Sequence, residues 1–170
     1  MSQKAITIYT PASADPHIYA EDDAQIFRAL FGGSSGITEA DDALACSIIN
    51  NNTVRLAPGV YSNQGFMVCV PGGSYEDLTI ESGMQGMYRK DLIIADFQRG
   101  GGDTADTHVF TVVKGTAAAS EATAAVPTLT QDDLRTGGNH RQEALYQINI
   151  DGLVISSIER VADYIGAVYQ

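Results

Sequence analysis

Residues 92–95, Leu-Ile-Ile-Ala, form an unbroken apolar run, and no other stretch of the chain restricts its fold as much. The run is too short for an ordinary helix and suits a strand covered on both faces. Arg89, Lys90 and Asp91 precede it as the densest charge cluster in the chain. Gly100, Gly101, Gly102 and Asp103 follow as a turn that sends the chain back through residues 109–113. DLIIADF is therefore predicted to pair with HVFTVVKG.

The rest of the sequence adds short strands to this pair. Residues 1–19 read as an extended arm, with a strand-like piece at residues 5–9 cut off by Pro11. A helix is predicted over residues 20–32, because Ala20, Ala24, Phe27 and Phe31 recur at helical spacing and Ile26 and Leu30 widen the stripe. Glu21, Asp22 and Asp23 in its first turn and Arg28 near its last suit the helix dipole, and Gly32-Gly33 ends it. Leu44, Cys46 and Ile48 alternate as in a strand, against a competing helical turn capped by Thr38 with Asp41. Further strand signals lie at residues 54–57, 66–70 and 78–80, between turns at residues 50–52, Pro58-Gly59 and Pro71-Gly72-Gly73.

Residues 116–138 are low in complexity and read as an extended surface connection. Tyr146, Ile148 and Ile150 then alternate up to Asp151-Gly152, which fits a type I′ hairpin turn. Leu153, Ile155 and Ser157 return the chain, and Ile158, Val161, Ile165 and Val168 fit a short C-terminal helix. The fold class is mainly β, an antiparallel β-sandwich with a short N-terminal α-helix (α+β by strict count), in one domain spanning residues 20–170.

Composition removes several function classes. The chain has 170 residues, enough for one domain with a sizeable core. Its 10 basic against 21 acidic residues give a net charge of −11, which repels phosphate backbones and argues against nucleic acid as a partner. The first residues lack a signal-peptide pattern, so synthesis in the cytoplasm is expected, and no run is long enough to span a bilayer. Cys46 and Cys69 lack metal or redox spacing and read as free buried thiols. His17, His108 and His140 lie far apart in sequence, with His140 in a polar turn, and show no metal-ligand spacing. Asp22-Asp23, Asp41-Asp42 and Asp132-Asp133 sit where helices or turns begin and read as caps. The GGGDTADT loop misses the EF-hand pattern, and no serine lies in a nucleophile elbow. The expectation is a protein that is not an enzyme, with no catalytic residues, no metal and no cofactor.

The segments IESGMQGMYRKDLIIADFQR, VFTVVKGTAAASEATAAVPTLT and ALYQINIDGLVISSIERV, in that order, resemble a domain of bacteriophage and prophage tail baseplate proteins. The likeness is to the N-terminal shoulder domain of siphophage receptor-binding and upper-baseplate proteins. That family pairs Arg and Asp at the start of a double-faced strand, here Arg89 and Asp91 separated by Lys90. Its next strand ends in Lys/Gln-Gly-Thr, here Lys114-Gly115-Thr116. Upstream, VRLAPGVYSNQGFMV is similar to its Gly-containing β segment.

The resemblance implies a β-sandwich that assembles as a homotrimer with other tail or baseplate proteins, located in the virion tail. A chain stopping at Gln170 leaves no room for a receptor-binding head, so the implied role is an adaptor anchoring a receptor-binding protein or fibre. Ala24, Phe27 and Phe31 are the expected oligomer interface. Arg89, Lys90 and Asp91 are expected to pair with one another or with a partner chain. The alternative is a carbohydrate-binding module, for which Tyr61, Tyr75 and Tyr88 would supply a stacking platform. A glycan hydrolase ranks third, and would need two carboxyl groups about 5 to 9 Å apart in an open cleft.

Overall fold

The computed structural model describes residues 19–166. The strand-like piece at residues 5–9, His17 and Val168 lie outside them. In chain order the described elements are α1 (Ala20–Phe31), β1 (Gly36–Thr38), β2 (Cys46–Asn50), β3 (Thr53–Leu56), β4 (Gly59–Asn63) and β5 (Phe66–Val70). There follow β6 (Glu76–Thr79), β7 (Tyr88–Gln98), β8 (Thr107–Val113), β9 (His140–Asp151), β10 (Val154–Arg160) and β11 (Tyr164–Ile165). Two short 3-10 turns, Glu121–Thr123 and Leu134–Thr136, interrupt the connection between β8 and β9.

The strands form three sheets, ordered β11-β1-β4-β5, β10-β9-β7-β8 and β2-β3-β6. All pairings are antiparallel except β1 with β11, which joins Ile37 to Tyr164 and Thr38 to Ile165. The fold is the expected mainly-β sandwich with a short helix. One core runs through all three sheets, including Ile37, Leu56, Tyr61, Leu78, Ile93, Leu145 and Ile148.

The β7–β8 pairing holds from Leu92–Val113 to Gln98–Thr107 without a register shift. Successive side chains of β7 point to opposite faces. Ile93 and Ala95 enter the main core, while Leu92 and Ile94, also buried, face the other way. The long connection after β8 crosses that second face. It starts beside the first residue of β7, where Tyr88 and Ala118 exchange two backbone hydrogen bonds of 2.8 Å. It ends on the far edge of β9, where Gln142 N donates to Thr130 O at 2.8 Å and Asp132 N to His140 O at 3.1 Å. A chain passing from one edge of the sheet to the other acts as a strap, and Ala124 midway along it is buried.

The structure corrects two sequence readings near the C-terminus. The predicted helix is absent among the described residues: Ile158 pairs with Ile148 in β10, and Ile165 belongs to β11. Residues 161–163 break the chain between β10 and β11, and this break leaves a spacing of Ile158, Val161 and Ile165 that mimics a helix. Tertiary pairing outweighs that weak periodicity. The hairpin after β9 is present, but Asp151 pairs with Val154, so its central residues are Gly152 and Leu153. Only Gly152 has positive φ, at 60°, which is type II′ rather than type I′ geometry.

Two smaller readings also change. Cys69 is exposed and Cys46 half-buried, and both are free thiols. His140 opens β9 rather than sitting in a turn.

Candidate functional site: the junction of helix and hairpin

Asn63 pairs with Phe66, so β4 and β5 are joined by a two-residue turn, Gln64-Gly65. Both turn residues have positive φ, 51° and 93°, the type I′ combination that follows the natural twist of two strands. Glutamine rarely adopts this conformation, and three contacts hold it there. Arg28 Nη1 donates to Gln64 O at 2.7 Å, Gln64 N to Ser35 Oγ at 3.1 Å, and Leu134 N to Gln64 Oε1 at 2.8 Å. One residue, through its backbone O and N and its side-chain Oε1, thus ties the helix, the loop after it and the strap to a single turn.

Gly65 sets how closely the helix approaches. A Cβ at this position would lie 2.4 Å from Ala24 O, so only glycine lets α1 settle on the hairpin. Ala24, 1% exposed, fills the contact with Phe66, Phe97 and Leu134. The Phe66 and Phe97 ring centroids lie 4.7 Å apart. Arg99 closes the same junction from the β7 side. Its guanidinium donates to Glu21 at 2.5 Å, to Gly138 O at 2.9 Å and to Leu134 O at 3.3 Å.

Beyond the contact, α1 leaves an open apolar groove of about 350 Å³. Phe27 and Phe31 form its helical wall, and Val60, Met67 and Cys69 form its floor. The floor follows from register: Val60 faces Cys69 and Ser62 faces Met67, which places these side chains on the face away from Tyr61 and Val70. The predicted trio is therefore divided. Ala24 is consumed within the chain, while the half-buried Phe27 and Phe31 still border solvent.

The charge cluster is also divided. Arg89 and Asp91, two apart on β7, share a face, and Arg89 Nε and Nη2 donate to the two Asp91 oxygens at 2.8 and 2.9 Å. Both are buried, at 5% and 1% exposure, so neither is placed to meet a second protein. Arg89 also donates to Glu81 O at 2.6 Å and Ser82 O at 3.2 Å, and Gly115 N donates to Asp91 Oδ1 at 2.9 Å. The knot fastens β7 to the segment before it and to the start of the strap. Lys90 points to the other face and borders a separate cleft of about 240 Å³ with Tyr88 and Asp151.

The tyrosines do not form the platform that the alternative, carbohydrate-binding reading requires. Tyr61 lies in the core at 2% exposure, and burial pushes its hydroxyl well above the usual tyrosine range. Tyr75 is exposed, but the Arg55 guanidinium lies 3.6 Å from its ring centroid and occupies one face. Tyr88 is half-buried and bound through its backbone to the strap.

Among the described residues, no group of three or more His, Cys, Asp or Glu is arranged to hold a metal ion. His140 Nε2 lies 2.7 Å from Asp96 Oδ1 across β9 and β7. Asp133 caps the second 3-10 turn through Arg135 N, and Asp132 Oδ2 accepts from Asn139 N and His140 N. Asp106 accepts from Gly100 N and closes the glycine loop. These carboxylates hold loops together.

No family model matches the chain, and no curated protein or solved structure does either. No helix among the described residues is long and apolar enough to cross a membrane. Sequence reasoning did not find Gln64, Gly65 or Arg99. The Gln-Gly pair between two apolar alternating runs was the available signal, weaker than the Asn-Gly that normally marks such a turn.

Proposed function

We propose that this protein is a structural subunit of a phage or prophage tail tip, acting as an adaptor that anchors a receptor-binding protein or fibre. The observation that carries the reading is the division of labour on α1. Ala24 and Arg28 lock the helix to a rigid hairpin, while Phe27 and Phe31 line an open apolar groove. Apolar surface held in a fixed position beside a sandwich suits association between copies, and closed rings are the usual outcome of self-association. A trimer is the expected assembly, with its axis near the Phe27–Phe31 face. The order of the sequence segments around Arg89, Lys114 and Leu145 supplies the tail-protein part of the reading.

Analytical ultracentrifugation across a wide concentration range tests the assembly. The wild type and Asp103→Ala should sediment as the same oligomer, and Phe27→Asp should shift the population to monomer. A wild-type monomer at all concentrations, or an unchanged oligomer in Phe27→Asp, overturns the reading.

A further inference from the structure

Asp23 and Phe27 stand four apart on α1 and therefore share one side of the helix. Between that side and the ends of β5, β7 and β8 lies a cleft of about 290 Å³. Phe27, Phe66 and Phe97 give it three aromatic walls, and Asp23 and Asp106 are the only Asp, Glu, Lys or Arg that line it. Both carboxylates belong to exposed residues. The Asp23 carboxylate enters no ion pair among the described residues. Asp106 is fixed in place by Gly100 N, which donates to its Oδ1 at 2.9 Å. His108 also lines the cleft, and burial pushes its imidazole down to about 4, so it brings no positive charge there at neutral pH. Arg99 lies 5.3 and 5.6 Å from the Phe66 and Phe97 ring centroids, but it is outside the lining and paired with Glu21.

We infer that this cleft binds a primary alkylammonium group on a short apolar stem, as carried by a small aliphatic amine or by a lysine side chain. Two carboxylates without a cation between them attract positive charge, and aromatic faces attract it again through their quadrupoles. The apolar walls take the stem, which a metal ion or a bare ammonium ion lacks. An anion is excluded by the same two carboxylates, and an uncharged apolar ligand would leave both unpaired. Size sets the remaining limit, because the cleft falls just below the roughly 300–1,000 Å³ of sites for drug-sized ligands. The site stands apart from the assembly reading, and its test leaves Phe27 unchanged.

The probe is n-butylammonium chloride, added to the full chain at neutral pH and constant ionic strength, with 1-butanol and sodium butyrate as controls of equal length. Amide chemical shifts in NMR spectra should move saturably at Asp23, Ala24, Met67 and Asp106 with the amine, at millimolar concentrations, and not with either control. The double variant Asp23→Asn with Asp106→Asn keeps the size of both side chains and the acceptor for Gly100 N, and should bind the amine about tenfold more weakly. Absent binding, equal shifts with 1-butanol, shifts spread over acidic residues elsewhere, or unchanged affinity in the double variant overturns the inference. Lys4 is the sole Lys or Arg ahead of Arg28, and Lys4→Gln separates the two sources of the group. Tighter amine binding by that variant assigns the cleft to the chain's own lysine, and equal binding assigns it to an amine from outside. Both results support the alkylammonium chemistry.

Discussion

Arg89 and Asp91 stand on the same face of one strand and hold each other through two hydrogen bonds of 2.8 and 2.9 Å, away from solvent. Among the described residues, the other hydrogen bonds of the pair are to backbone of neighbouring segments: Glu81 O, Ser82 O and Gly115 N. Removing one partner leaves a buried charge without its counter-ion. Asp91→Ala should therefore destabilise the protein by about 3–5 kcal/mol. The double replacement Arg89→Met with Asp91→Leu should cost less than the single one. Urea unfolding midpoints of the three proteins check this order.

Gly65→Ala tests the docking of the helix. The added methyl would sit 2.4 Å from Ala24 O, and the backbone there has a φ of 93°. α1 should lift from the hairpin, with a loss of about 2 kcal/mol or more, since alanine at positive φ and a backbone clash act together. Exchange of the α1 amides should speed up while that of β7 stays slow.

His108 makes stability depend on pH. Burial drives its imidazole down from 6.5 to about 4, against smaller opposing effects of the Met67 backbone and Asp96. Between these values the unfolded chain binds the proton and the folded chain does not, so stability is full above pH 6.5 and falls as pH drops toward 4. The loss from this group should reach about 3 kcal/mol. His108→Phe keeps an aromatic ring beside Phe97, now 5.4 Å from His108, and should flatten the melting temperature between pH 6.5 and 4.5.

Tyr146 donates its hydroxyl to Leu44 O at 3.0 Å in the interior, and Leu44 has a φ of 51°. Tyr146→Phe leaves that carbonyl without its buried donor and should cost about 1–3 kcal/mol. Thermal unfolding measures the effect, and the native fold should persist at 25 °C.

The parts legible in the sequence are those where one strand's own residues fix its surroundings. Residues 92–95 are apolar at every position, so a strand buried on both faces was the natural reading, and β7 is that strand. Arg89 and Asp91 were legible as an ion pair because residues two apart share a face of any strand. Neither the helix–hairpin junction nor the division of Ala24 from Phe27 and Phe31 was legible. Both depend on Gln64 adopting a conformation that three distant segments impose. The spacing of Ile158, Val161 and Ile165 misled because a break at residues 161–163, between two strands, imitates helical recurrence. The tyrosines were offered as a platform only in the alternative reading, and type alone does not separate a core ring such as Tyr61 from a surface ring such as Tyr75.

The parallel pairing of Ile37 with Tyr164 joins the first strand to the last among the described residues. During synthesis, β1, β4 and β5 emerge early, yet their sheet stays unfinished until Ile165 has left the ribosome. A contact spanning so much sequence slows the search for the native arrangement, because a large loop must close before the pairing is rewarded. The sandwich therefore matures as a unit, and a ribosome stalled before Tyr164 would release a chain whose first strand has no final neighbour.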